Sequence, residues 1–151
     1  YGIIHEVTRS ISNCVWEDCS IGFASATWMD QLGCLMVLVA NNYAGTGTNI
    51  TISDIHFNNI EIYNGAFYPI NVTLNDKNTK AEVKDLYFKN IRINGTREIR
   101  FANYSSEGKF GNIYFDDIYR NNTRVKGFVG SAGLMVRYEN TSKDNLYLNK
   151  Q

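Results

Sequence analysis

Apolar residues alternate through Ile55 and Phe57, the phase slips by one across Asn58 and Asn59, and the alternation resumes at Ile60 and Ile62. A period of two is the signature of a strand with one buried face, and the slip predicts a sharp polar corner between two short strands. The thirteen-residue stretch SDIHFNNIEIYNG, positions 53–65, returns as KDLYFKNIRINGT at 84–96 and as GNIYFDDIYRNNT at 111–123. Aligned on their aromatic residue, Phe57, Phe88 and Phe115 stand 31 and 27 residues apart, while Trp16 and Leu148 fill the same slot in partial copies on either side. Self-similarity at this period indicates stacked supersecondary units.

Each copy closes on residues that tolerate positive φ, Asn64-Gly65, Asn94-Gly95 and Asn121-Asn122. A third apolar stretch follows: Ile70–Leu74, Ile99–Phe101 and Val125–Val129. Three strands and three bends per copy predict an all-β chain, a parallel β-helix (solenoid) of about four to five coils in which each strand pairs with its equivalent in the next coil. An antiparallel sandwich gives no reason for the same residue types to recur in the same slot. The slot after the first strand holds Asp18, Asn59, Asn90 and Asp117, which stacking would place above one another as a structural turn ladder. Trp16, Phe57, Phe88 and Phe115 are expected as an internal aromatic stack, not as a sugar platform.

Composition narrows the picture. With 44% hydrophobic and 13% aromatic residues the 151-residue chain can fill a core. Fifteen basic and fifteen acidic residues leave no net charge and no basic block, so nucleic acid and membrane surfaces are not expected partners. The longest apolar run, Cys34 to Ala40, is too short to span a bilayer and predicts a buried strand. Cys14, Cys19 and Cys34 fit no metal spacing, and Cys14 and Cys19 occupy inward slots, where either two thiols or a disulfide fits. No cofactor is expected. His5 and His56 read as surface residues. Six Asn-x-Ser/Thr sequons, at Asn49, Asn71, Asn94, Asn103, Asn121 and Asn140, agree with a secreted, extracellular glycoprotein. Tyr1 falls inside an ongoing coil and neither end shows a capping helix; residues 1–151 are therefore expected to be one β-helix segment, an internal or carboxy-terminal part of a larger domain.

The frame in ITISDIHFNNIEIYNG and AEVKDLYFKNIRINGT, with the leading coil SISNCVWEDCSIG, resembles the pectin-lyase-like right-handed parallel β-helix, in particular its polygalacturonase and dextranase-like glycoside hydrolases. The resemblance implies part of a secreted polysaccharide-degrading enzyme that hydrolyses glycosidic bonds by acid/base chemistry, with polysaccharide or oligosaccharide as substrate. Relatives on that scaffold also include adhesins and fibre segments, which bind glycan or provide length without catalysis. Such hydrolases carry aspartates on one sheet, often as Asp-Asp after Gly. The one Asp-Asp pair here, Asp116 and Asp117, sits at the polar corner, so the catalytic role is not carried onto it and the acids are expected upstream of Tyr1. The cleft of these relatives follows the third strand set. Its outward positions here are Asn71, Thr73, Glu98, Arg100 and Lys126, and the loop 25–33 entering it adds Trp28, Asp30 and Gln31. An exposed Trp beside a carboxylate and an amide suits a sugar, whose apolar face stacks while its hydroxyls take hydrogen bonds.

Overall fold

The computed structural model describes residues 3–7, 9–22, 33–39, 49–63, 68–74, 80–130 and 132–149. These residues form strands β1 (Ile3–Val7), β2 (Ile11–Gly22), β3 (Gly33–Val39), β4 (Asn49–Tyr63), β5 (Tyr68–Leu74), β6 (Lys80–Val83) and β7 (Leu86–Asn94). They continue as β8 (Ile99–Asn103), β9 (Lys109–Phe110), β10 (Ile113–Asp116), β11 (Tyr119–Arg120), β12 (Thr123–Arg124), β13 (Val136–Glu139) and β14 (Leu146–Leu148). No helix occurs among them.

The strands divide into two sheets. One is five-stranded, ordered β1-β3-β5-β8-β13. Its pairings are parallel throughout. The other is nine-stranded and follows β12-β11-β7-β4-β6-β9, with β2 joined to β4, β10 to β7 and β14 to β10. Here β11 and β12 pair antiparallel, so the sheet is mixed. The expectation of a right-handed parallel β-helix with three strand sets is corrected on these grounds. The chain is all-β, but it makes two sheets, and one of them reverses direction.

The reversal has a local cause. Asn121 and Asn122 have φ of 46° and 64°, the left-handed pair that closes a two-residue hairpin. The chain folds back there, and residues 125–129, expected as the next third strand, lie outside any strand. The strand that joins the five-stranded sheet is β13, in register with β8 through Val136↔Ile99 and Arg137↔Arg100.

The repeated frame nonetheless stacks in register. Trp16, Phe57, Phe88, Phe115 and Leu148 are successive partners across β2, β4, β7, β10 and β14. The rings of Phe57, Phe88 and Phe115 stack at 5.0 and 5.1 Å and are fully buried. Trp16, on β2, is 38% exposed, where an internal position was expected. Phe101 of the five-stranded sheet meets Phe115 edge-on at 6.3 Å, so the two sheets close over one core. The corner slot behaves as its residue types require: Asp18, Asn59, Asn90 and Asp117 all have φ between 50° and 56°. Asn59 donates to Asp18 at 3.1 Å and Asn90 donates to Asn59 at 2.8 Å. Cys14 and Cys19 pack against the core as free thiols.

Candidate functional site

The residues that alternate away from the core on the five-stranded sheet include Asn71 and Thr73 on β5, Arg100 on β8, and Arg137 and Glu139 on β13. Register sets Asn71 opposite Arg100 and Arg100 opposite Arg137, while Thr73 and Glu139 flank Ala102. Diagonal neighbours on one face of a sheet lie within reach of a long side chain. Arg100 uses both diagonals. Its Nε and Nη2 donate to the Glu139 carboxylate at 3.1 and 2.7 Å, and Nη1 donates to Thr73 Oγ1 at 3.4 Å. Nη2 also reaches the Tyr104 hydroxyl at 2.8 Å. The guanidinium carbon lies 5.6 Å from the centre of the Tyr68 ring and 5.9 Å from that of Tyr104.

Glu139 is the hub of this cluster. It accepts from Arg100, from Arg137 Nε at 2.7 Å, and from the Tyr104 hydroxyl. The hydrogen bond from Arg100 holds its carboxyl down at about 2, against the opposing push of burial, with Tyr104 and the Arg137 charge assisting. Burial is the largest single influence on Arg100 and disfavours its cation, but the hydrogen bond to Glu139 and the negative charge of Glu139, with smaller help from Tyr104 and Tyr68, together outweigh it and leave the guanidinium pKa raised. Thr73 donates onward to Asn71 Oδ1 at 2.8 Å.

Only part of this cluster meets solvent. Asn71, Thr73 and Arg100 are buried, whereas Tyr104 is 37% exposed and the Arg137 side chain 53%. Arg137 Nη1 also donates to the Tyr68 hydroxyl at 3.3 Å. The buried members therefore act as scaffold, and Tyr104 and Arg137 form the accessible rim. A carboxylate that is ionised down to about pH 2 and already saturated with donors cannot serve as the proton donor of glycoside hydrolysis, which needs a carboxyl group raised toward neutrality. The other described carboxyl group that its surroundings displace, Glu82, is also held low, by a hydrogen bond from Lys84.

The sequence-derived residues are distributed unevenly. Asn71 and Arg100 meet in the cluster, though both are buried where an outward, open position was expected. Glu98 is exposed just before β8. Lys126 is exposed but does not reach this sheet; it lines a cavity of about 450 Å³ with Phe128, Lys143 and Asp144. Trp28, Asp30 and Gln31 lie outside the described residues. Asp117 occupies the corner and pairs with Arg124. Tyr68, Tyr104, Arg137 and Glu139 were not singled out by the sequence. The signal for Arg137 was present: Val136-Arg137-Tyr138 repeats the phase of Ile99-Arg100-Phe101, but the hairpin insertion lengthens the step between Arg100 and Arg137 to 37 residues.

No protein-family model, curated protein or solved structure matches the chain.

Proposed function

We propose that the chain supplies a saccharide-binding face to a secreted polysaccharide-degrading glycoside hydrolase, and that the residues described here bind the polymer without cleaving it. The observation that carries this reading is the fixed Arg100–Glu139 pair, which holds Arg137 and Tyr104 at the rim of a sheet face beside Tyr68. Planar donors beside aromatic rings suit a ligand that offers vicinal hydroxyls and apolar ring faces. Preorganisation by buried partners lowers the cost of ordering the contact side chains. The low pKa of Glu139 is unsuited to a general acid, and the donors that already occupy its carboxylate favour a binding role for this face. The same observation favours a second reading, a non-catalytic adhesin or fibre that holds glycan.

Native affinity electrophoresis of the 151-residue chain through gels containing dextran, β-glucan, xylan or polygalacturonate tests the proposal. At least one polymer should retard the chain, and Arg137→Ala should weaken that retardation about three- to tenfold, the worth of one or two hydrogen bonds. No reducing sugar should be released. Wild-type mobility unchanged by every polymer would refute the binding reading, and release of reducing ends above a heat-inactivated control would refute the assignment of binding without cleavage.

A further inference from the structure

The nine-stranded sheet carries a second column of rings on its outer side. His56, Tyr87, Tyr114 and Tyr147 stack on successive strands with centroids 4.4, 4.9 and 5.3 Å apart. Two residues further along each strand runs a parallel polar row, Asn58, Lys89 and Asp116, in register across β4, β7 and β10. Between the two rows lies a groove of about 390 Å³ lined by His56, Tyr87, Tyr114, Asn58, Lys89 and Asp116 and reaching down to Phe88. That volume lies within the range of ligand-binding clefts.

Three features define what fits. The ring faces are occupied by one another, so the column presents edges and phenol hydroxyls; among the described residues no hydrogen bond engages the hydroxyl of Tyr87 or Tyr114. Hydroxyl, amide, ammonium and carboxylate groups recur at the interstrand spacing, a ladder of donors and acceptors that matches a polymer offering hydroxyls at a similar rise. Charge among the groove's lining residues balances, Lys89 against Asp116, while Asp85 and Asp54 lie close enough to Tyr87 to push its pKa upward, behind the larger effect of burial. Acidic groups beside the aromatic column disfavour a polyanion.

We propose that this groove is a second binding site, for an extended neutral polysaccharide lying across the strands along the aromatic column. The proposal rests on the polysaccharide reading above and assigns it a distinct surface and a charge class. It is tested by the same electrophoresis with soluble mixed-linkage β-glucan, xylan and galactomannan as neutral probes and polygalacturonate as the anionic one. The double variant Tyr87→Phe/Tyr114→Phe keeps both rings, and with them the stack, while removing the two hydroxyls. Its affinity for the best neutral probe should fall about three- to tenfold, with an unchanged melting temperature. Arg137→Ala should leave a residual retardation that weakens further when the two are combined. Wild-type affinity in the double variant overturns the groove, and if Arg137→Ala still weakens binding, the first face stands without it. Retardation by polygalacturonate alone also overturns the groove.

Discussion

Glu139 shows how one side chain can organise a surface. Four donor atoms converge on it, from Arg100, Arg137 and Tyr104, and its ionised form is stabilised far below the ordinary 4.5 of a glutamate, to about 2. A carboxyl whose folded-state pKa is depressed contributes stability above its unfolded pKa and loses it as pH falls through the folded value. Glu139→Gln should therefore destabilise the chain at pH 7 by about 2–3 kcal/mol, since it removes the counter-charge of a buried arginine. The gap to wild type should narrow between about pH 4.5 and about pH 2. Urea midpoints at pH 7, 4 and 2.5 measure this; a gap that stays constant would show that Glu139 does not carry the cluster's charge. Arg100 and Asn71 were legible in the sequence because they fall on the polar phase of strands whose other residues are aliphatic. The surroundings of Arg100 were not legible, because its partners Glu139 and Tyr104 lie 39 and 4 residues away and are met through contacts that no local pattern encodes.

At the scale of the element, strand and corner positions were readable, and the exception identifies what the frame cannot carry. Ile55, Phe57, Ile60 and Ile62 all point into the core, as alternation requires, and the corner residues adopt the left-handed φ that Asn and Asp tolerate. The third copy departs where Asn121-Asn122 replaces the Asn-Gly of its predecessors. Both residues are left-handed there, and Asn121 is anchored: its Oδ1 accepts from Gly95 N at 2.9 Å and its own N–H donates to Ile93 O at 2.9 Å. A pair of left-handed residues makes a hairpin, whereas a single one makes a bend, and the difference displaced Lys126 from the sheet and brought Arg137 onto it. Asn122→Val should cost about 1–2 kcal/mol through strain at its φ of 64°, while Asn122→Gly should be close to neutral. Chemical denaturation of the two variants separates these outcomes. Equal losses would mean that the asparagine side chain, and not its backbone conformation, is what the hairpin uses.

Across the whole molecule, the two sheets share one core in which the Phe57, Phe88 and Phe115 column meets Phe101 from the opposite side. Which faces are buried could be read from periodicity. The repeated frame also pointed to the pairing of successive copies, but the number of sheets and the direction of their strands depended on turns, above all the left-handed pair Asn121-Asn122 that folds β12 back on β11, whose conformation residue type alone does not fix. The stacking itself has a mechanical consequence. In the repeated region most strands bond only to the copies on either side, so the hydrogen bonds run along the stacking direction and the covalent chain runs across it. A load applied along a strand must shear a row of parallel bonds together; a load applied along the aromatic column can peel one copy at a time. Single-molecule pulling through cysteines placed for the two geometries, in a background with the native thiols replaced, should give one high-force event for the first and a series of lower steps for the second. The molecule is built like laminated sheet stock, stiff in its layers and divisible between them.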